Sequence, residues 1–280
     1  ERPLSAPYPL VREEDGYRAA APLTPGRYAL RGDETSQTVS GLLLALPLLS
    51  APSEIVLTTP LVSRPYVDMT LDALRRHGVA VQPAETGWYI PAPQRFRPDE
   101  TPVEGDWSAG SWWLTVSALQ GGGVTVAGLS ADSRQADRAV TRYLTRLPET
   151  VEVSQTPDLL PTLALLAAMT PQTTRFTGGA FLRRKESDRL RTVAAVLSDL
   201  GAEVSELPDG LTVTGGSGLT GGVTVDAFGD HRIAMLCACA ALFCREPVVL
   251  RGGECVSKSY ENFWRDYAML GGKAEVLMES

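Results

Sequence analysis

A block of roughly 50–75 residues recurs along this chain, and this internal repeat constrains the possible folds more than any other feature. Each copy has the pattern of a strand, a polar turn, an apolar helix, a short strand, and a second helix that ends in a Gly-rich turn before another strand. Four copies can be placed, at residues 22–95, 101–153, 156–215 and 221–278. A period this long excludes a short-period solenoid and predicts an α/β fold of the α+β type with internal pseudo-symmetry.

One helix in each copy is apolar on nearly all sides, which predicts that it is buried all round. These helices are expected at 39–49, 112–119, 159–169 and 233–243. The short strands expected after them lie at 54–57, 124–126, 174–176 and 248–250. If rotation relates the copies, the N-terminal ends of equivalent helices can converge, and converging helix N-termini attract an anion.

Composition and charge narrow the class of protein. At 280 residues, with 44% hydrophobic residues, the chain is long enough for two domains and a sizeable core. The net charge of -7 argues against a nucleic-acid-binding surface, which would need a basic excess.

The four cysteines lack zinc-ligand spacing and are expected to be buried thiols in a reducing compartment. No apolar run approaches the ~20 residues of a membrane span. The opening Glu1-Arg2-Pro3, without a Met, predicts that the chain begins inside a longer protein.

Charged residues crowd the segment FLRRKESDRL at 181–190, just where a helix over 186–200 is predicted to begin. Apolar residues from Leu190 to Leu200 recur at helical spacing, so one face should be buried, and Gly201 is expected to end the helix as a left-handed cap. Cations are disfavoured at a helix N-terminus, because its free N–H groups are already electropositive. Their presence there indicates either a site for a multiply charged anion or a solvated face of internal ion pairs.

Other polar groups stand at the predicted starts of apolar helices. They are Thr35-Ser36-Gln37, Ser63-Arg64-Pro65-Tyr66, Asp158, Asp230-His231-Arg232 and Lys258. N-capping explains one hydroxyl of the first segment and Asp230. For Ser63 before Pro65, capping and a functional role are both open. It does not explain Gln37, Arg232 or Lys258. Asp158 is a cap by default, and as a carboxylate at a cleft it is also a candidate general base.

Taken together, these segments resemble the 5-enolpyruvylshikimate-3-phosphate synthase family. The matching segments, in the family's order, are TSQ at 35–37, LVSRPYVDMT at 61–70, EGD at 104–106, PD at 157–158, RRKESDRL at 183–190, GDHRIAM at 229–235 and SKSYENF at 257–263. KESDRL together with DHRxAM is highly specific. The resemblance implies an enolpyruvyl transferase-like fold of two domains, each with three pseudo-symmetric units. Four units correspond to the later two-thirds of the family's chain, with an incomplete first domain at 1–105 and a second domain of three units at 106–280.

The resemblance implies transfer of the enolpyruvyl group of phosphoenolpyruvate to the 5-hydroxyl of shikimate 3-phosphate, with release of phosphate. This is a step of the shikimate pathway of aromatic amino acid biosynthesis, and it needs no metal or organic cofactor. By resemblance, Asp158 is the base, Glu186 the proton donor at C3, and Lys185 its helper. The implied binding residues are Arg189, Arg232 and Lys258 for phosphoenolpyruvate, and Thr35, Ser36, Gln37 and Ser63, with Tyr66 nearby, for shikimate 3-phosphate.

Further expectations concern the protein's surroundings. We expect small-molecule substrates, no nucleic acid, no membrane, and a cytoplasmic monomer. The family is also a target of glyphosate, a mimic of phosphoenolpyruvate. A first domain that lacks at least one unit exposes apolar surface, so we expect it to be marginally stable.

Three departures from the family's pattern affect these expectations. No segment matches the family's PGSKS…NR and NSGT-type motifs, so the chain alone is expected to be inactive or nearly so unless another polypeptide supplies them. Phe181 and Leu182 stand where the family often has a polar residue, so one substrate contact is expected to be lost. Glu1-Arg2-Pro3 resembles a segment with a phosphoenolpyruvate-binding arginine, but residues 4–26 fit poorly, and Arg2 is left out of the predicted site.

Two alternatives remain open. A related enolpyruvyl transferase acts on UDP-N-acetylglucosamine and shares the repeat fold. KESDR and DHR argue against it, and none of the four cysteines lies in a plausible mobile catalytic loop. The other alternative is an inactive fragment or ligand-binding remnant of the synthase. A reading frame that extends upstream of Glu1 into a PGSKS-type segment would argue against a remnant.

Overall fold

The computed structural model describes residues 2–3, 10–14, 16–19 and 22–277. The chain divides into two compact units, Glu1–Val103 and Glu104–Ser280. Residues 91–106, which contain the junction, form neither helix nor strand. Arg2 lies in a short strand, but its side chain is outside the described part of the chain.

The described part of the first unit contains a mixed sheet and two α-helices. Its strands are β1 (Arg2–Pro3), β2 (Leu10–Glu13), β3 (Gly16–Ala19), β4 (Arg27–Leu30), β5 (Ser53–Leu57), β6 (Gln82–Ala84) and β7 (Gly87–Ile90). Among the described residues the sheet order is β1-β4-β5-β7-β6, and β2 and β3 form a separate hairpin. Strands β1, β4 and β5 are parallel, whereas β7 is antiparallel to β5 and β6. The strand predicted at 54–57 is confirmed as β5.

Helices α1 (Ser36–Ala45) and α2 (Arg64–Arg76) follow β4 and β5. Because these strands are parallel neighbours, both helices begin at the same edge of the sheet. Their inner faces pack on a core that includes Val39, Ile55 and Val67, all 0% exposed. The prediction that the first apolar helix is buried on nearly all sides is wrong, since Leu44 is 46% exposed. The helix packs with only one face, and beyond Ala45 it tightens into a 3₁₀ turn that contains Pro47.

The second unit contains six helices and six strands in the part that the structure describes. The helices are α3 (Trp107–Leu119), α4 (Val140–Thr145), α5 (Leu160–Met169), α6 (Arg189–Asp199), α7 (His231–Ala241) and α8 (Phe263–Met269). The strands are β8 (Thr150–Glu152), β9 (Thr173–Thr177), β10 (Glu203–Leu207), β11 (Gly210–Thr214), β12 (Thr224–Asp226) and β13 (Val249–Arg251). They form one sheet in the order β10-β11-β9-β8 and a parallel pair, β12-β13.

The apolar helices of the second unit form its centre. Helix α5 contacts α3, α6 and α7, and every residue from Leu160 to Ala168 is buried. The all-round burial predicted for 159–169 is therefore confirmed. Helices α3 and α7 are also buried along most of their length, and both start earlier than predicted. They start earlier because Asp106 and Asp230 accept hydrogen bonds from the free N–H groups of their first turns.

Two predictions for this unit need correction. Residues 124–126 form no strand, because they follow Gly121, Gly122 and Gly123, whose φ angles are all positive, and they pair with no described strand. The helix predicted at 186–200 begins only at Arg189, since Asp188 caps it and residues 180–184 form a 3₁₀ turn. The charged residues 183–188 therefore precede the helix instead of lying in its first turn. The left-handed Gly201 after this helix is confirmed, with φ +99°.

The described helices include none that is both long enough and apolar enough to cross a membrane.

Candidate functional site

A network of ion pairs joins the starts of three helical elements in the second unit. Its centre is Arg189, which begins α6 and is 1% exposed. Its Nη1 donates to Asp158 Oδ1 at 2.9 Å, and its Nη2 donates to Glu186 Oε2 at 2.8 Å. Its Nε donates to Asp230 Oδ2 at 3.1 Å. Asp158 lies in the 3₁₀ turn before α5, and Asp230 caps α7.

Asp158 binds a second guanidinium. Arg232, in the first turn of α7, donates from Nη2 to Asp158 Oδ2 at 2.8 Å, and its Nη1 donates to the hydroxyl of Ser108 in the first turn of α3. Burial alone would raise the pKa of Asp158, but Arg232, Arg189 and Lys185 outweigh it and hold this pKa below its ordinary value. The carboxylate is therefore ionised and fixed between two arginines.

Glu186 is also held by two cations. Lys258 Nζ donates to Glu186 Oε1 at 2.8 Å, while Arg189 holds the other oxygen. Partial burial opposes ionisation, but the hydrogen bond from Lys258 and the charge of Arg189 lower the pKa of Glu186 to about 2. Glu186 is therefore a carboxylate at neutral pH.

Lys185 is a half-buried cation beside this network. Burial lowers its pKa, and the negative charge of Asp158 opposes that shift. Its Nζ lies 5.7 Å from the centroid of the Phe181 ring. Lys185 forms no hydrogen bond or salt bridge from its side chain to any described residue.

The turn that leads into this network depends on its local sequence. After β9 the chain reverses at Gly178, whose φ of +75° is left-handed and whose Cβ, if present, would lie 2.1 Å from the carboxylate of Glu152. A 3₁₀ turn, Ala180–Arg184, follows and buries Phe181. Asp188 then caps α6 and also binds Arg183 at 3.0 Å, and Arg183 reaches Glu206. Arg183, which belongs to the predicted charge cluster, therefore stabilises the fold of this turn.

Asp230 and its neighbour are important residues that sequence reasoning did not place in the site. Asp230 is 0% exposed and accepts from Ser187 Oγ at 3.1 Å as well as from Arg189. His231 is buried, and its Nδ1 has no hydrogen-bond partner among the described residues. Burial lowers its pKa, so the imidazole is neutral at neutral pH. Asp230 was interpreted as a cap, and no local pattern in the sequence signals that it also binds Arg189. No pattern signals the role of Ser108 either.

The predicted residues of the first unit gather at the starts of α1 and α2. Thr35 Oγ1 caps α1 by accepting from Gln37 N at 3.1 Å, and Ser36 is buried. Ser63 is 3% exposed with a left-handed backbone, φ 54°, and its carbonyl accepts from Tyr66 N at 3.1 Å. The loops before the two helices are joined, since Val62 N donates to the carbonyl of Gly32 at 2.9 Å. The predicted residues therefore lie at two helix starts that share one sheet edge.

The described residues include no group of three or more His, Cys, Asp or Glu side chains placed to hold a metal ion. The charged side chains of the second unit are the residues that the sequence predicts for an anion site. Two guanidinium groups and two ammonium groups lie with carboxylates of lowered pKa, which can accept or return protons.

Mixed sheets and helices in two units give this chain a fold of the enolpyruvyl transferase class. The model of the family described as EPSP synthase (3-phosphoshikimate 1-carboxyvinyltransferase) matches residues 11–156 and 140–267. The chain belongs to this family of transferases.

Individual relatives agree with this assignment. The 3-phosphoshikimate 1-carboxyvinyltransferase of Clostridium kluyveri is 40% identical over 98% of this chain and 71% of its own length. That of Methanocorpusculum labreanum is 35% identical over 91% of this chain and 64% of its own length. In eight of the curated relatives that it matches, the chain spans between 62% and 71% of their length.

Solved structures show the same fold. The EPSP synthase of Acinetobacter baumannii superposes with a TM-score of 0.75 at 22% identity, covering 95% of this chain and 68% of that one. The enolpyruvyl transferase NikO of Streptomyces tendae superposes with a TM-score of 0.66 at 17% identity, covering 95% of this chain and 69% of that one. The predicted α/β fold of enolpyruvyl transferase type is confirmed.

Proposed function

We propose that this chain forms the later part of a 3-phosphoshikimate 1-carboxyvinyltransferase and that its second unit carries the site for phosphoenolpyruvate. The observation that supports this most strongly is the Asp158 carboxylate, held between the guanidinium groups of Arg189 and Arg232. Guanidinium forks suit both the carboxylate and the phosphate of phosphoenolpyruvate. Lys258 supplies a third cation through its pair with Glu186.

In the proposed reaction the 5-hydroxyl oxygen of shikimate 3-phosphate forms a bond to C2 of phosphoenolpyruvate. The hydroxyl proton passes to Asp158, and Glu186 gives a proton to C3, with Lys185 assisting. In the second step the bond between C2 and the phosphate oxygen breaks and C3 returns a proton to Glu186. Asp158 passes the proton that it took from the hydroxyl to the phosphate, which then leaves. Atoms and charges balance without a metal or an organic cofactor.

Glu186 must be protonated before it can act as the acid. Its pKa of about 2 depends in part on the hydrogen bond from Lys258 and on the charge of Arg189. We propose that phosphoenolpyruvate attracts both cations away from Glu186. The pKa of this carboxyl then rises, because burial is no longer opposed.

The first unit is proposed to bind shikimate 3-phosphate. Its candidate contacts are the hydroxyls of Thr35, Ser36 and Ser63 and the amide of Gln37, with Tyr66 nearby. Support comes from the two helix starts that share one sheet edge, since helix N-termini bind phosphate through free N–H groups and the helix dipole.

We further propose that the protein acts as a monomer in the cytoplasm, where both of its phosphorylated substrates are small soluble molecules. Light scattering at micromolar concentration should give the mass of one chain, and cell fractionation should recover the protein with cytoplasmic enzymes.

A second candidate function is ligand binding without turnover. The residues of this chain span 62% to 71% of the length of eight curated relatives, so this candidate concerns these residues on their own. The two functions differ in whether inorganic phosphate is released when both substrates are present.

Calorimetric titration with shikimate 3-phosphate, followed by phosphoenolpyruvate, tests both candidates. Arg232→Ala should abolish the binding of phosphoenolpyruvate, and Asp158→Ala should abolish the release of phosphate because it removes the proposed base. Arg191→Ala, which removes an exposed cation from the same helix as Arg189, should leave it unchanged. Binding with release of phosphate supports the transferase, and binding without release supports the second candidate. No binding at millimolar ligand would contradict both.

A further inference from the structure

Lys185 differs from the other cations of the site in how it is held. Arg189, Arg232 and Lys258 each bind a carboxylate directly. In the part of the chain that the structure describes, the Lys185 ammonium has no hydrogen-bond or salt-bridge partner. Its Nζ instead lies over the ring of Phe181, 5.7 Å from the centroid. A ring face attracts an ammonium at this range through its quadrupole.

The Phe181 ring is firmly placed. It is 5% exposed and belongs to the 3₁₀ turn whose next residue, Leu182, is fully buried. Lys185 closes this turn, because its N–H donates to the carbonyl of Leu182 at 3.4 Å. The ring and the ammonium are therefore fixed by the same few residues, and the ring sets where the lysine side chain can lie.

An aromatic partner affects the charge differently from a carboxylate. A carboxylate would neutralise the ammonium, as Glu186 does for Lys258, whereas a ring holds it without neutralising it. The charged groups around Lys185 are Asp158 and Glu186, which attract it, and Arg189 and Arg232, which repel it. The ring therefore stabilises the charged form of Lys185, which burial and the two arginines destabilise.

We propose that Phe181 is a positioning residue that holds the Lys185 ammonium beside Asp158 with its charge unpaired, available to the phosphate or carboxylate of a substrate. This inference rests on the proposed function for the identity of the ligand. It assigns a role to a position where the sequence analysis predicted only a lost polar contact.

Nuclear magnetic resonance tests the placement without any ligand. Protons above an aromatic ring shift upfield, so the ε-methylene protons of Lys185 should be upfield of those of the exposed Lys273. Phe181→Leu should remove this shift and Phe181→Tyr should retain it. Phe176→Leu removes another buried ring from the same unit and should leave the Lys185 signal unchanged, which controls for general loosening.

Calorimetry with shikimate 3-phosphate and phosphoenolpyruvate tests the consequence. Phe181→Leu should weaken substrate binding about 2- to 5-fold, the range expected for one cation–π contact, and Phe181→Tyr should restore it. The proposal is overturned if the Lys185 protons show no upfield shift, or if Phe181→Leu binds as tightly as the parent chain. If the parent chain binds neither substrate, the proposed function fails, while the proton shift alone still decides whether Phe181 holds Lys185.

Discussion

At the scale of single residues, the neighbours of Glu186 determine its protonation. Its two carboxylate oxygens bind different cations, Lys258 and Arg189, and both stabilise the ionised form. The same side chain is proposed as an acid in catalysis, and it can fill that role only after those cations turn to a substrate. In the free protein these two cations therefore stabilise the folded state and keep Glu186 ionised, so that it cannot donate a proton.

Glu186 should make the protein's stability depend on pH in a defined window. Its pKa is lowered from 4.5 to about 2, so it contributes stability above the ordinary value and loses that contribution as pH falls through the lowered one. Asp158, whose pKa is also lowered, acts in the same direction. We expect the urea midpoint of the second unit to decrease as the pH is lowered from 4.5 to about 2. The decrease should be smaller in Glu186→Gln.

Glu246→Gln is the matched control, because Glu246 is exposed and forms no salt bridge with a described residue. Its midpoint should follow that of the parent chain at every pH. If Glu186→Gln lost as much stability as the parent chain on acidification, the ion pairs of Glu186 would not stabilise the folded state.

At the scale of elements, α5 is the helix on which the second unit depends. Leu163, at its centre, is 0% exposed. Leu163→Ala should lower the free energy of unfolding by about 2–5 kcal/mol, since it removes buried apolar surface and leaves a cavity. Met269→Ala, at the exposed end of α8, should change it by less than about 0.5 kcal/mol. Denaturant titration of both variants measures the difference, and equal effects would show that α5 is not the core.

The elements also show what could be predicted from the sequence. An all-apolar run such as 159–169 predicts a buried helix, because its composition leaves no polar face to expose. Helix starts are harder to predict, since they depend on which polar side chain accepts hydrogen bonds from the free N–H groups, as Asp188 does before α6. Residues 124–126 have strand-forming side chains, but within the described part of the chain they pair with no neighbouring strand. A strand needs that partner, and its presence is not a local property.

The candidate site could also be predicted only in part from the sequence. The charged segment near Lys185 and the cation Arg232 were predicted to belong to a site, because such residues at helix starts are otherwise unexplained. The pairing of Arg232 with Ser108, 124 residues away, was not predicted. The burial of Asp230 against Arg189 was also missed, since a cap and a buried ion-pair partner look alike in sequence.

At the scale of the whole molecule, the two units should unfold separately. The helices of the first unit pack with one face only and leave Leu44 and Leu48 exposed, whereas α5 of the second unit is enclosed. We expect residues 27–95 to lose amide protection at lower urea than residues 156–277. Hydrogen exchange measured by mass spectrometry at increasing urea tests this prediction. Equal protection of both segments would contradict it and would indicate one cooperative unit.

The position of Arg189 has a consequence for how this protein can evolve. One guanidinium binds carboxylates from three stretches of the chain, so no single replacement satisfies all of them. A library of variants screened only for folding should retain this arginine as strictly as a library screened for catalysis. Conservation of Arg189 therefore does not distinguish selection for folding from selection for activity. Conservation of Lys258 and Lys185, which are more exposed, can make that distinction.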